Sequence, residues 1–141
     1  MKRKLKVVLD TNVLLVSISS KSKYHWLFQS IIEEQIEVFI TNEILLEYEG
    51  ILNSKWNESV GKAVVRTLIE LDNVHLTTPY FKLNIIDNDK DDNKFVDCAF
   101  ANNVHYLVTN DADFNVLRIT DFPKINVITI AQLKEQIVNS Q

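Results

Sequence analysis

The chain has 141 residues, of which 46% are hydrophobic, and it carries a formal net charge of −4. This length and apolar content suit one compact domain with a proper core, and they exclude a disordered or low-complexity chain. The negative charge excludes a general basic footprint for nucleic acid, although a local basic rim is compatible with it.

The single cysteine and the N-terminus exclude further classes of protein. Cys98 alone cannot form an internal disulfide or a cysteine metal cluster, and its apolar neighbours predict a small buried side chain. The basic start is similar to that of a signal peptide, but Asp10 interrupts the apolar run and no cleavage site follows cleanly. Because no stretch approaches the length of a membrane span, we expect a soluble, cytoplasmic protein.

The first half of the chain predicts two strands and three helices. The short apolar run Leu5–Leu9 indicates a buried parallel strand, and the small, polar and basic residues 17–23 indicate a loop. The elements predicted next are a helix over 24–34, a strand over 38–40, a helix from an N-cap at Thr41 to about Leu52, and a helix over 58–71.

The second half predicts three more strands and two more helices. The elements are a strand over 74–77, an acidic connection over 84–94, a helix marked by Phe95, Val96, Ala99 and Phe100, strands over 106–108 and 126–128, and a helix over 130–138. Strands that alternate with helices predict one α/β domain over 1–141, a three-layer α/β/α sandwich with a mostly parallel sheet of about five strands. In such sheets, ligands bind at the carboxyl ends of the strands.

Two acidic residues lie at or just beyond the carboxyl ends of predicted strands. Asp10 ends the first strand in "VVLDTNVLL", and Asp111 follows the fourth in "YLVTNDADF". Each carboxylate would either cap the backbone that follows or hold a cation, and its position alone does not choose. Asp113, two residues after Asp111, would cap or support its neighbour.

Two further acids lie on predicted helices. In "TNEILLEYEGIL", Glu47 lies at one edge of the apolar face and Glu49 at the other, so the helical period does not distinguish them. Asp92 lies at the N-terminal end of the buried face of its helix, where capping and the helix dipole are rival explanations for a carboxylate. Asp91 and Asp97 point off that face, and we expect them to face solvent.

These acids are compatible with a metal site. Carboxylates that converge without a partner repel one another, which raises their pKa values, and a divalent cation removes that conflict. All the candidate ligands are hard oxygen donors, with no cysteine or histidine cluster among them, which favours Mg²⁺ or Mn²⁺ over zinc.

The order and spacing of these segments are similar to those of the PIN-domain family. The matching segments are "VVLDTNVLL", "TNEILLEYEGIL", "DDNKFVDCAFANNVHYLVTNDADF" and "VITIAQL". The resemblance covers essentially the whole chain, and its most specific part is an acid, an alanine-containing helix, a strand and a Thr-x-Asp turn. It implies a ribonuclease that uses Mg²⁺ or Mn²⁺, and many such proteins are toxins of bacterial toxin–antitoxin pairs.

The resemblance also implies roles for individual residues. Carried over by motif, the catalytic and metal-binding acids would be Asp10, Glu47, Asp92 and Asp111, and the supporting residues would be Asn12, Thr109 and Asp113. Glu47 is thus preferred to Glu49 by analogy only. Glu43 and Asp97 also lie inside matched segments. The implied reaction is metal-assisted hydrolysis that leaves a 5′-phosphate and a 3′-hydroxyl.

The implied partners are an RNA substrate, a small antitoxin protein and a second copy of the chain. Lys21 and Lys23 lie in the loop after the first strand, and Lys90 and Lys94 flank Asp92. Each lysine alone is an ordinary solvated charge, but beside an acidic pocket the set would balance the approach of a phosphate chain.

Two other functions stay open. The domain would serve as a binding module if its acids held metal or nucleic acid without catalysis. An acid at the end of the first strand is also found in phosphotransferases of the HAD type, which use an aspartyl nucleophile. Those enzymes need a second aspartate two residues later, and position 12 is Asn.

Overall fold

The centre of the fold is a parallel sheet. The computed structural model describes residues 4–79, 82–86, 90–121 and 124–140. These residues form a five-stranded sheet in the order β3-β2-β1-β4-β5, and every neighbouring pair is parallel. The strands are β1 Leu5–Leu9, β2 Ile36–Ile40, β3 Val74–Leu76, β4 Tyr106–Val108 and β5 Val127–Ile128. The predicted α/β class and parallel sheet are confirmed.

Helices follow the strands along the chain. They are α1 Thr11–Ile18, α2 His25–Ile32, α3 Asn42–Lys55, α4 Glu58–Glu70, α5 Asn93–Ala101 and α6 Ile130–Asn139, with 3₁₀ helices at Lys90–Asp92 and Ala112–Ile119. From β1 the chain adds β2 and β3 on one side and then β4 and β5 on the other. Crossovers between parallel strands are right-handed as a rule, and in this strand order they place helices on both faces of the sheet. Within the described ranges, no helix is both long and apolar enough to cross a membrane.

Some predicted boundaries differ from those observed. Residues 17 and 18 belong to α1 rather than to a loop, because buried Ser17 donates to the Leu14 carbonyl oxygen at 2.6 Å and stays within the helix. Helix α2 ends at Ile32, two residues before the predicted end, and Glu34 has a φ of 57° that is incompatible with a continuing helix. Residues 87–89 of the predicted acidic connection lie outside the described residues.

Tyr48 attaches α3 to the carboxyl end of β1. Its side chain is 1% exposed, and its hydroxyl donates a hydrogen bond to the carbonyl oxygen of Leu9, the last residue of β1. Burial raises the pKa of Tyr48 well above its ordinary value, so the phenol stays a donor. This contact holds Glu47, the neighbour of Tyr48 on α3, close to Asp10, the residue that follows β1.

The variant Tyr48→Phe tests this attachment. It leaves the ring packed but removes the donor to the Leu9 carbonyl, so we expect a loss of about 1–2 kcal/mol in the free energy of unfolding. Urea denaturation with an unchanged m-value measures the loss. Tyr106→Phe is the control, because its hydroxyl donates to the Gln136 side chain at a half-buried position. A loss for Tyr48→Phe no larger than that of the control would contradict the attachment.

Candidate functional site

Asp10 lies at the point where the strand order reverses. Strand β1 pairs with β4, and the Asp10 backbone N–H donates to the Val108 carbonyl oxygen at 3.1 Å. The Asp10 side chain is 5% exposed; its Oδ1 accepts from the Val13 N–H at 2.9 Å, and its Oδ2 accepts from the Thr109 hydroxyl. Asp10 therefore caps α1 and also presents a carboxylate at the strand end, so the two explanations are compatible.

Thr109 connects the ends of the two strands. While its hydroxyl donates to Asp10, the same oxygen accepts from the Asp111 N–H at 3.0 Å. Asp111 Oδ1 in turn accepts from the Asp113 N–H at 2.9 Å, which forms a turn just beyond β4. Carboxylate oxygens of Asp92, Asp111 and Asp113 lie within 4.8 Å of one another. Asp111 and Asp113, which follow β4, thus converge with Asp92, which precedes α5.

Asp92 immediately precedes α5. Its carboxylate accepts no capping hydrogen bond from the described first turn of that helix, which argues against the capping explanation. The next residue holds the segment in place: buried Asn93 donates to the Ile86 carbonyl oxygen and accepts from the Ile86 N–H, both at 2.9 Å. The backbone before α5 is therefore fixed by Asn93, and the Asp92 side chain takes part in the cluster of acids.

Glu47 reaches the same region from α3. Its Oε1 lies 2.6 Å from the Lys94 Nζ, and its Oε2 accepts from the Thr11 hydroxyl. The Lys94 side chain is only 8% exposed and also donates to the Asp91 carbonyl oxygen at 2.7 Å. Lys94 is thus turned into the protein and paired with an acid, whereas the sequence suggested a solvated cation; its contact with RNA stays a prediction.

One cleft of about 240 Å³ brings the four implied acids together. Its lining residues are Asp10, Thr11, Asn12, Glu47, Ile51, Asp91, Asp92, Phe95 and Asp111. Five carboxylates thus line it among the described residues. Burial raises the pKa of Asp10, hydrogen bonds from Thr109 and Val13 oppose that rise, and the charge of Asp111 adds to it. Oxygen donors in this arrangement fit a hard divalent cation.

The other acids of the matched segments lie elsewhere. Glu49 is not among the residues that line the cleft. Glu58 raises the pKa of Lys62 on α4, and the charge of Glu49 makes a smaller contribution in the same direction. Asp97 is 6% exposed and accepts from the Leu83 N–H at 3.0 Å, so the prediction that it faces solvent is wrong. Asp97 and Glu43 line a neighbouring pocket instead of the cleft.

Further side chains complete the surroundings of the cleft. Lys21 and Lys23 are exposed between α1 and α2, and the Lys23 Nζ lies 5.1 Å from the centre of the Tyr24 ring. Tyr24 lines a second cavity together with Asp10 and Asp111, so this loop borders the acids. Thr11 also lines the cleft, and no sequence signal predicts this, because a threonine after an acid has no distinctive spacing. Cys98 is buried as predicted, and burial raises its pKa to about 12.

Comparisons of structure find the same fold in nucleases and toxins. The chain matches VapBC2 from Rickettsia felis, solved with a promoter DNA fragment, with a TM-score of 0.62 and 12% identity over 89% of this chain and 98% of that one. It matches VapC20 from Mycobacterium tuberculosis, a toxin that cleaves the sarcin–ricin loop, with a TM-score of 0.59 and 12% identity over 85% and 98%. It matches the PIN-domain endonuclease Utp24 with a TM-score of 0.52 and 14% identity over 88% of this chain and 84% of that one.

Comparisons of sequence identify the family. A search among curated proteins finds no match. A family model described as a PIN domain matches residues 6–113, which include all four implied acids and Asp113. A match over most of the chain, supported by the parallel fold, shows that the chain belongs to the PIN-domain family.

Proposed function

We propose that the protein is a Mg²⁺- or Mn²⁺-dependent endoribonuclease and the toxin of a toxin–antitoxin pair. The observation that carries the proposal is the convergence of Asp10, Glu47, Asp92 and Asp111 on one cleft at the carboxyl ends of β1 and β4. A PIN-domain nuclease is the activity that family membership supports. RNA as substrate and the toxin role extend it, by analogy with the toxin that cleaves the sarcin–ricin loop.

The acids of the cleft would share the binding of the cation. Asp10, Glu47, Asp92 and Asp111 would hold it, and Asp113 would support them. Hydrogen bonds from Thr109 and Val13 fix the Asp10 carboxylate, and the turn after β4 fixes that of Asp111. A bound divalent cation would supply an activated water and stabilise charge on the phosphate oxygens. Exposed Asn12 and the lysines Lys21 and Lys23 would contact the RNA backbone at the rim.

The same geometry suits inhibition by a partner. A protein segment that carries Arg or Lys would pair with the carboxylates and exclude the cation. A small antitoxin and a homodimer stay predictions for this chain, as does its cytoplasmic location.

RNA cleavage by charge-neutral variants tests the assignment. In the presence of Mn²⁺, we expect Asp10→Asn and Glu47→Gln to lower the cleavage rate roughly a hundredfold or more, because each removes a carboxylate from the cleft. Glu49→Gln is the matched control, since Glu49 lies on the same helix but not among the residues that line the cleft. Equal losses for Glu47→Gln and Glu49→Gln would contradict the assignment. Binding of Mn²⁺ without any RNA cleavage would instead favour the non-catalytic binding module.

Thermal unfolding tests the metal site independently of activity. Mn²⁺ at one hundred times its dissociation constant should stabilise the wild type by about 2.7 kcal/mol, because it binds the folded chain and relieves the repulsion between carboxylates. The rise in Tm should be much smaller in Asp10→Asn/Asp111→Asn. The control Glu49→Gln/Asp121→Asn also removes two carboxylates, and should keep the full rise. A rise of the same size in both double variants would mean that the metal binds elsewhere.

Expression in a bacterial host tests the toxin role. We expect growth arrest when the protein is produced alone, and rescue by the product of the neighbouring gene. Growth should be normal with Asp10→Asn or Asp111→Asn produced at the same level, because arrest requires cleavage. Normal growth with a soluble, demonstrably active wild type would rule out the toxin role and leave the nuclease intact.

A further inference from the structure

The ion pair between Lys94 and Glu47 is more enclosed than an ordinary surface pair. The Lys94 side chain is 8% exposed and that of Glu47 is 30% exposed, whereas the two members of the Lys62–Glu58 pair on α4 are 67% and 71% exposed. The Lys94 ammonium is also held by the Asp91 carbonyl oxygen at 2.7 Å and lies 5.3 Å from the centre of the Phe95 ring. A lysine held by these contacts has a defined position beside the cleft.

The same pair determines what Glu47 can bind. One Glu47 oxygen faces Lys94 and the other accepts from the Thr11 hydroxyl. Among the described acids, the group whose oxygens lie within 4.8 Å of one another consists of Asp92, Asp111 and Asp113, and Glu47, like Asp10, is outside it. An ammonium and a divalent cation near one carboxylate compete for the same oxygens and repel each other. Glu47 would therefore bind either the Lys94 ammonium or the divalent cation, but not both at once.

Lys94 also borders the neighbouring pocket that Glu43 and Asp97 line. This pocket of about 300 Å³ is lined by Thr41, Asn42, Glu43, Thr77, Thr78, Pro79, Lys82, Lys94 and Asp97. Thr41 follows β2 and Thr77 follows β3, so the pocket lies at the same sheet edge as the cleft, which lies at β1 and β4. A nucleic acid strand that left the cleft along this edge would meet the two lysines of this pocket, Lys94 and Lys82.

We propose that Lys94 binds an RNA phosphate after Glu47 has released it. Before a divalent cation binds, Glu47 pairs with the Lys94 ammonium; when the cation binds, Glu47 turns to the cation. The freed ammonium then binds an RNA phosphate at the border between the cleft and the neighbouring pocket. The inference rests on the proposed nuclease function and adds a coupling to it. Because linkage is reciprocal, a cation in the cleft strengthens RNA binding and RNA strengthens cation binding by the same factor.

Calorimetric titration with Mn²⁺, in the absence of RNA, tests the competition. Lys94→Met keeps most of the apolar stem and removes the charge, so Mn²⁺ should bind roughly fivefold to tenfold more tightly than to the wild type. Lys94→Arg keeps the charge and should stay close to the wild type. Lys62→Met, which breaks an exposed pair with another glutamate, should have no effect. An unchanged or weaker affinity for Mn²⁺ in Lys94→Met would overturn the inference, since Lys94 would then only position Glu47.

Cleavage kinetics at saturating Mn²⁺ test the second half of the inference. Lys94→Met should raise the KM for RNA severalfold while kcat changes less, because a phosphate contact is lost and the cleft acids remain. An unchanged KM would overturn the phosphate-binding role. If Lys94→Met does not fold, as judged by its thermal unfolding, Lys94→Gln takes its place in both measurements. A wild type that binds no Mn²⁺ would instead refute the metal dependence of the proposed function, so the two failures are distinguishable.

Discussion

Repulsion between carboxylates at one edge of the sheet is the constraint that the rest of the site must satisfy. Parallel strands end at the same edge, so residues that follow β1 and β4 are neighbours, and both are followed by aspartates. The chain offsets this repulsion with hydrogen bonds from Thr109, Val13 and Thr11 and with the ammonium of Lys94. Each of these groups stabilises a negative charge that the proposed reaction needs.

The core makes this arrangement possible. Val7, Val8 and Leu9 are fully buried in the central strand, so β1 is a rigid platform for Asp10. Tyr48 bonds to the last residue of that strand and thereby brings Glu47 from a separate helix to the cleft. On the other side, Asn93 fixes the backbone beside Asp92 through two hydrogen bonds to Ile86. Rigid elements thus supply the acids, which suits a site that must hold a cation at defined distances.

The sequence predicted the fold and the strand-end acids because both depend on local patterns. Short apolar runs identify buried strands, and the parallel topology places Asp10 and Asp111 together. The direction of side chains was harder to predict. The helical period did not distinguish Glu47 from Glu49. It also predicted that Asp97 faces solvent, whereas Asp97 is buried and accepts a hydrogen bond from the N–H of Leu83, which lies before the helix in the chain. The pair between Lys94 and Glu47 joins residues 47 positions apart, and a local pattern carries no signal for such a contact.

The location of a bound cation tests the account most directly. Crystals of the wild type grown with Mn²⁺ would show the metal by its anomalous scattering. The account predicts a peak in the cleft, with oxygens of Asp92 and Asp111 about 2.1 Å away, as expected for a small hard cation. A peak outside the cleft, or an empty cleft at a Mn²⁺ concentration that supports RNA cleavage, would contradict it.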